Sequence, residues 1–228
     1  MNGIRKTNPQ RESIRKQIRC DVPVFFGYDE KDEIADAKKK GQPFLYVDHA
    51  YFHRGYQTGN FRALYSTIHR TNILDLPDDR REMFHVKLRE WQEGGDFVLF
   101  IPAPPNPLWF HRENKWNEDA LDLLCKSTKR EVRVKPSKTN GLGDSIKQCF
   151  ALATHSSVAG VEAACAGIKV CGPKTSPAYP IGVELHEVDK AITPNRDAWV
   201  NTLTYSQFTT AELKDGSAWQ IIKETERL

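Results

Sequence analysis

The sequence predicts an α/β protein with a Rossmann-like parallel sheet and helices on both faces. The apolar run FVLFI at Phe97–Ile101 is typical of a strand that is buried on both sides of a parallel sheet. Strand-like and helix-like segments alternate around it, and this order predicts parallel strands joined by right-handed crossovers. The chain has 228 residues, 39% of them hydrophobic, which is enough to bury the core that such a sheet needs.

Two further strands are predicted ahead of this sheet. Residues 22–27 (VPVFFG) form a short apolar run that ends in glycine, and residues 43–49 (PFLYVDH) form a second run that ends in polar residues. Between them, residues 30–40 are mostly charged. Ile34 and Ala37 have the spacing of a surface helix with one buried side.

The chain between the second of these strands and the sheet predicts a loop and then a helix. Residues 51–71 are rich in aromatic residues, glycine and arginine without periodicity, which is typical of a long loop with short irregular strands. Pro77 and the acidic residues after it suit the start of a helix, which we expect to run to about Trp91.

The segments after Gly95 give the alternating pattern on which the fold class depends. They are a strand at 97–101, a helix at 116–126, a strand at 131–134, a short helix at 143–148, a strand at 150–153, a helix at 157–167 and a strand at 168–171. We divide the chain into a basic N-terminal arm at 1–20, a reduced N-terminal α/β region at 21–93, a Rossmann-like region at 94–195 and a helical tail at 196–228.

The composition argues against several classes of protein. No stretch approaches the roughly 20 apolar residues that a membrane-spanning helix needs, and the N-terminus lacks the apolar segment of a signal peptide. The five cysteines are odd in number and form no C-x-x-C pair, which predicts reduced thiols in the cytoplasm. The sequence also has no H-E-x-x-H motif, so we expect no bound metal. Because it has no long apolar stretch, we expect no membrane partner.

The first twenty residues hold six basic residues and one acidic residue. Such a cluster is able to contact phosphates, including those of DNA. A basic helix end or a frayed terminus has the same composition, so both interpretations stay open.

The segment ALATHSSVAGVEAACAGIKVCG at 151–172 predicts a strand, a short polar turn and a helix. Ser156 or Ser157 suits the start of the helix, because serine side chains accept hydrogen bonds from the first free amides. A helix that begins at the carboxyl edge of a sheet directs those amides and the positive end of its dipole at this edge. The sequence therefore predicts a phosphate site here.

The pattern THSS-x-A-x-x-E-A-x-x-x-G-I-x-V in this segment resembles the C-terminal, nucleotide-sugar-binding half of GT-B glycosyltransferases, especially those that build surface polysaccharides. A second stretch, R-V-K-P at 133–136, is similar to a basic stretch near the donor phosphates of that family. The resemblance covers about residues 94–183, and the region before it is shorter than the family's usual first domain.

The resemblance implies a role for five residues. Ser156 and Ser157 would face the donor phosphates, with Arg133 and Lys135 nearby, and Glu162 would bind the ribose hydroxyls. Each also has a simpler interpretation: the serines as helix caps, the two basic residues as a charged strand edge, and Glu162 as a solvated helix carboxylate.

The acceptor side is predicted from residues 21–93. Asp48 and His49 end a predicted strand, and either could be the base that deprotonates an acceptor hydroxyl. Four residues of the predicted loop and its surroundings could bind the acceptor by stacking or by phosphate pairing: Tyr51, Arg54, Tyr56 and Arg62. Aromatic residues in a long loop also commonly hold that loop to the core.

The resemblance implies a metal-independent glycosyltransferase that moves a sugar from a nucleotide-diphosphate sugar to a hydroxyl acceptor. One acceptor that we consider is a hydroxymethylated pyrimidine in phage DNA, which would place the protein in the host cytoplasm; another is a surface polysaccharide. The alternative from a different class is a non-catalytic protein that keeps the half-domain to bind a nucleotide or a partner.

Overall fold

The computed structural model describes residues 9–53, 59–135 and 142–228, and the chain divides into two units. Unit 1 consists of the residues up to Ile68 together with Thr204–Leu228, and unit 2 is His69–Leu203. These limits differ from the predicted regions at 1–20, 21–93, 94–195 and 196–228. The predicted tail is shared between the two units, because a strand within it pairs with the sheet of unit 1.

The helices and strands follow one another along the chain in this order: α1 (Pro9–Arg15), β1 (Val24–Phe26), α2 (Lys31–Lys40), β2 (Leu45–His49), β3 (Asn60–Tyr65), α3 (Asp79–Met83), β4 (Phe97–Ile101), α4 (Pro105–His111), α5 (Trp116–Ser127), β5 (Glu131–Val134), β6 (Cys149–Thr154), α6 (Val158–Cys165), β7 (Lys169–Cys171), α7 (Asp197–Thr204), β8 (Gln207–Thr209), α8 (Thr210–Asp215) and α9 (Ser217–Glu226). Short 3-10 helices lie at Gly27–Glu30, Gly143–Ile146, Tyr179–Ile181 and Leu185–Lys190. Within these described parts of the chain, no helix combines the length and the apolar character that crossing a membrane requires.

Unit 1 contains a mixed sheet with the strand order β1-β2-β3-β8. β1 and β2 are parallel, whereas β3 is antiparallel to both β2 and β8. The core of this unit joins Phe26, Val47 and Phe61 of the sheet to Trp219 and Ile222 of α9. The last helix therefore covers apolar strand residues from the first part of the chain.

β3 corrects the sequence prediction for residues 51–71. The six residues of β3 lie between two strands and four of them are buried, although the sequence predicted mainly a loop there. The buried residues include Arg62, whose charge interrupts the apolar pattern by which a strand is detected. Arg62 lies opposite Asp48 in the register of β2 and β3, so the neighbouring strand supplies the compensating charge.

Unit 2 contains an entirely parallel sheet with the strand order β5-β4-β6-β7. Val98 and Phe100 of β4 face Ala120 and Leu124 of α5. α6 packs on the opposite face, where Gly160 lies beside Thr154. The predicted α/β class with a parallel sheet between helices is confirmed, and this arrangement is compatible with a Rossmann-like fold.

The helix predicted from Pro77 to Trp91 is much shorter in the structure. α3 ends at Met83, and two residues later His85 has a positive φ of 51°. The chain beyond it bonds to the end of α6 instead, because Arg89 N donates to Cys165 O (2.9 Å) and Gln92 N donates to Gly167 O (2.7 Å). A tertiary partner thus replaces the helical hydrogen bonds that the local pattern predicted.

Candidate functional site

The strand order of unit 2 predicts a crevice at the carboxyl edge of its sheet. The first strand, β4, is central and pairs with both β5 and β6. The chain after β4 crosses on the α5 face, whereas the chain after β6 crosses on the α6 face. In open parallel sheets, ligands bind where neighbouring connections leave on opposite faces, which here is the gap between the ends of β4 and β6.

Hydrogen bonds hold both sides of this crevice in place. Thr154 Oγ1 at the end of β6 donates to Ile101 O at the end of β4 (3.0 Å). The loop after β4 is fixed by Asn117 of α5, which accepts from Ala103 N (2.8 Å) and donates to Ala103 O (3.0 Å). The two strand ends are therefore rigid supports for the residues that follow them.

The neighbouring gap between β6 and β7 is closed. A Cβ on Gly172 would lie 2.4 Å from Thr154 O, and one on Gly182 would lie 2.6 Å from Val170 O, so only glycine allows the loop after β7 to pack this tightly. The space that remains is too narrow to admit a water molecule. At this edge the topology therefore favours the β4–β6 gap over the β6–β7 gap for a ligand.

Ser157 and Ser156 have different partners at the start of α6. Ser157 is the N-cap, and its hydroxyl accepts from Ala159 N (3.2 Å), so the capping role is shown. Ser156 is 7% exposed, and its Oγ lies 3.0 Å from Nδ1 of His155. The predicted phosphate role of both serines stays a prediction.

His155 is the functional candidate that the sequence analysis did not select. Its side chain is fully buried, and it lies between Ser156 and the carboxylate of Glu113, with 2.5 Å between Nε2 and Oε2. Trp116 contacts the ring edge-on and the ring of His111 lies 5.1 Å away between centroids. The only local signal for His155 in the sequence is its position directly after a predicted strand. Its carboxylate partner, Glu113, is distant in the sequence, so no local pattern reveals the pair.

The environment of His155 favours the neutral imidazole. Burial lowers the pKa of His155 below its ordinary value, while the hydrogen bond and the charge of Glu113 act in the opposite direction. The net effect is a lowered pKa, so the ring is neutral at pH 7 in the ligand-free protein.

Arg133 and Lys135 lie on the other side of β4. Arg133 Nη2 donates to Glu131 (2.7 Å), and the guanidinium stacks on the ring of Phe97 at 3.9 Å. Lys135 follows β5, and its backbone N donates to Phe100 O (2.9 Å). Two strand spacings, about 10 Å, separate β5 from β6. The charged strand edge predicted as the simpler interpretation therefore describes Arg133, and a phosphate role for either residue stays a prediction.

Glu162 lies in the second turn of α6, a helix whose other residues are mainly small and apolar. Its side chain is half-buried. The ribose-binding role stays a prediction.

Asp48 belongs to a buried polar cluster at the end of β2 in unit 1. Asp48 Oδ2 accepts from Arg62 Nη2 (2.8 Å) and from Tyr46 Oη (2.9 Å), while Oδ1 accepts from His49 N (2.8 Å). Burial and the negative charge of Asp48 raise the pKa of Tyr46 well above its ordinary value. Asp48 thus accepts hydrogen bonds from three donors, and Tyr46 keeps its proton.

The predicted acceptor residues that the structure describes are part of the same cluster. Arg62 is 3% exposed and Tyr51 is 1% exposed, and the guanidinium lies 5.5 Å from the centre of the Tyr51 ring. Arg62 Nη1 also donates to His49 O (3.1 Å). These internal contacts match the interpretation in which the aromatic residue holds the loop to the core. Arg54 and Tyr56 lie outside the described residues.

Part of the predicted basic arm is a helix held by ion pairs. In α1, Arg11 pairs with Asp29, and Arg15 Nη1 pairs with Glu30 (2.6 Å). Residues 1–8 lie outside the described residues. Lys16 also pairs with Glu12 (3.9 Å), so three of the four basic side chains at positions 9–20 are engaged with acidic residues of unit 1.

The structure brings Ser156 and Ser157 together at one crevice and places Lys135 at the same sheet edge. Asp48 and His49 belong to unit 1, and the five predicted donor residues belong to unit 2. Among the described residues, no group of three or more His, Cys, Asp or Glu side chains could hold a metal ion. No protein-family model and no curated protein matches the chain.

Proposed function

We propose that the chain is a metal-independent glycosyltransferase that moves a sugar from a nucleotide-diphosphate sugar to a hydroxyl acceptor. The observation that carries the proposal is the N-terminus of α6 at the edge of a parallel sheet, next to the point where the connections after β4 and β6 leave on opposite faces. Backbone amides at such a position bind phosphate, and the positive end of the helix dipole favours an anion.

The proposed chemistry depends on stabilising the diphosphate as it leaves. Amides of the first turn of α6 and the ammonium of Lys135 would supply fixed donors for its developing charge. Glu162 would accept hydrogen bonds from the ribose, since a carboxylate suits two adjacent hydroxyls. The base stays open between Asp48 and His49; the oxygens of Asp48 accept hydrogen bonds from three donors.

The proposed acceptor is a base of DNA, and the proposed compartment is the cytoplasm. The acceptor that we propose is a hydroxymethylated pyrimidine in phage DNA, which the basic residues at the start of the sequence would help to bind. All five cysteines are free thiols, which supports a reaction in the reducing cytoplasm, where nucleotide sugars are made.

The decisive experiment measures the binding of the nucleotide sugar first and the transfer of the sugar second. A panel of nucleotide sugars is screened for thermal stabilisation of the protein, and any stabilising sugar is then offered with acceptors and the products weighed by mass spectrometry. Lys135→Met should reduce the stabilisation, whereas Lys147→Met, an exposed lysine paired with Asp144, should not. Failure of all sugars to stabilise the protein would overturn the proposal, and binding without any product would support the non-catalytic alternative.

The DNA acceptor is tested by its dependence on salt. Binding to duplex DNA should weaken as salt rises, with a slope of about −0.9 per phosphate neutralised. Removing residues 1–8 leaves the ion-paired helix α1 in place, and it should make the slope shallower by about 0.9 for each phosphate that the shortened chain no longer binds. Sugar transfer to hydroxymethylated duplex, but not to unmodified duplex, is the expected product result; no gain in mass in either would exclude DNA as the acceptor.

A further inference from the structure

The cluster Glu113–His155–Ser156 has a hydrogen-bond direction that follows from its geometry. A carboxylate is only an acceptor, so the 2.5 Å contact requires the proton on Nε2 of His155. Since the neutral ring carries one proton, Nδ1 is then an acceptor. The hydroxyl of Ser156, 3.0 Å from Nδ1, must donate its proton to His155.

The hydrogen bond from the Ser156 hydroxyl to His155 is unfavourable for an anion that binds at the start of α6. With its proton turned toward His155, the Ser156 oxygen presents only lone pairs to the crevice, and these repel phosphate oxygens. Adding one proton to His155 reverses the arrangement, because Nδ1–H then donates to Ser156 Oγ and the hydroxyl proton is free to point at the ligand. The same proton changes the net charge of the Glu113–His155 pair from −1 to zero, which also favours an anion.

We propose that His155 takes up one proton from solvent when the diphosphate of a nucleotide sugar binds, and that this proton turns the Ser156 hydroxyl from His155 toward the phosphate. The inference rests on the proposed donor site and adds its regulation by pH. His155 acts here as a positioning residue, because it reaches the ligand only through Ser156.

The titratable groups that face the ring are few in the described part of the chain. Glu113, at the end of the turn after α4, bonds to Nε2, and His111 of α4 lies beside the ring. From α5 the ring is covered by Trp116, which does not titrate. A charged His111 would oppose a proton on His155, whereas Glu113 supports it. The two histidines must therefore be separated by experiment.

The sign of the pH dependence follows from linkage. The pKa of His155 lies below its ordinary value in the free protein and would rise in the complex, where a phosphate adds negative charge. Between these two pKa values, one proton is taken up on binding, and affinity falls by up to about tenfold for each unit of rising pH. Below and above that window, affinity is independent of pH.

The test is calorimetry of the protein with the nucleotide sugar that stabilises it most. A nucleotide sugar is chosen as the probe because its diphosphate is a diester, with no group that titrates between pH 5 and pH 8. Titrations in buffers of different ionisation enthalpy count the protons bound. We expect uptake approaching one proton within the window; a count of zero throughout this pH range would overturn the inference.

Variants assign the proton. His155→Gln should abolish the dependence of affinity on pH, and Ser156→Ala should narrow the pH window, because only the charge of the phosphate then raises the pKa of His155. Glu113→Gln should move the window to lower pH because the imidazolium loses its counter-charge. The matched control is His111→Gln, which should keep the full slope. If His111→Gln removes the slope and His155→Gln keeps it, the proton belongs to the neighbouring ring and the inference is wrong.

A second measurement needs no variant. Two-bond ¹H–¹⁵N spectra of the wild-type protein identify the tautomer of each histidine, and His155 is recognised by its contact with Trp116. We expect a neutral ring with its proton on Nε2 at pH 7, and an imidazolium after the nucleotide sugar is added. An Nδ1-protonated ring, or a ring that stays neutral in the complex, would overturn the inference. Failure of every nucleotide sugar to bind would instead count against the proposed function.

Discussion

The end of β2 in unit 1 and the end of β6 in unit 2 each carry a polar cluster, and the two differ in whether their charge is fixed. At β2, Asp48 is paired with a buried arginine and with a tyrosine that keeps its proton. At β6, the carboxylate of Glu113 is bonded to His155, whose pKa is lowered by burial. We expect the ion pair of Asp48 and Arg62 to serve stability, whereas our proposal gives the proton of His155 a part in ligand binding. Substitutions should therefore separate the two clusters.

The largest expected effect is in the fixed-charge cluster. Arg62→Met leaves Asp48 as a buried anion without its counter-charge, which should lower the free energy of unfolding by about 3–5 kcal/mol. Urea denaturation measures this change. The control is Lys40→Met in the same unit, which breaks an exposed pair with Asp36 and should cost about 0.5 kcal/mol or less. Similar losses of unfolding free energy in both variants would mean that water reaches Asp48. The Asp48 cluster would then not hold the fixed, buried charge that distinguishes it from the His155 cluster.

The second effect concerns catalysis by unit 1. If His49 is the base, His49→Ala should reduce kcat by about a hundredfold or more and leave the affinity for the nucleotide sugar nearly intact. Asp48→Asn tests the alternative base, and its stability is measured alongside because Asp48 also balances Arg62. If both variants are stable and turn over normally, neither His49 nor Asp48 is the base, and the cluster at the end of β2 has a structural role only.

The third effect concerns the donor site of unit 2. Glu162→Ala should weaken the binding of a nucleoside diphosphate by about 1.5–3 kcal/mol, the usual value for hydrogen bonds to a charged group. Calorimetry at one pH compares this variant with Glu118→Ala, an exposed glutamate of α5. Unchanged affinity in Glu162→Ala would remove the ribose contact, and the resemblance to glycosyltransferases would lose one of its residues.

The smallest effect is the response of stability to acid. The pKa of His155 is lowered in the folded protein, so the unfolded chain binds more protons below pH 6.5 and the contribution of His155 to stability falls as pH falls. One group contributes at most about 1.4 kcal/mol per pH unit. His155→Gln should flatten the dependence of the unfolding free energy on pH between 5 and 7. An identical slope in wild type and variant would show that the ring is not held neutral by folding.

The sequence predicted the parallel sheet well because its two central strands, β4 and β6, are largely apolar runs. β4 and β5 have the predicted bounds, and β6 and β7 differ from prediction by a residue or so at their ends. The predicted capping by Ser157 follows from local chemistry and is observed. Periodicity and end signals act over a few residues, so a single sequence is enough to reveal them.

The parts that the sequence did not predict depend on distant partners. β3 was missed because Arg62 interrupts its pattern, and the compensating Asp48 lies on another strand. β8 is a three-residue strand that exists by pairing with β3. Likewise, the sequence did not point to His155 as a functional residue, because its carboxylate partner, Glu113, lies between α4 and α5. Both polar clusters thus depend on interactions that no local window contains.

The insertion of unit 2 between two parts of unit 1 has a consequence for how the chain is produced in a cell. Residues 69–203 are continuous and are able to fold as they leave the ribosome, whereas the sheet of unit 1 receives β8 only after residues 207–209 have been made. Until then β3 is an unpaired edge with exposed backbone donors and acceptors, which is a template for pairing with another chain. Aggregation of nascent chains should therefore begin at Asn60–Tyr65, and slower synthesis lengthens the time for which that edge is open.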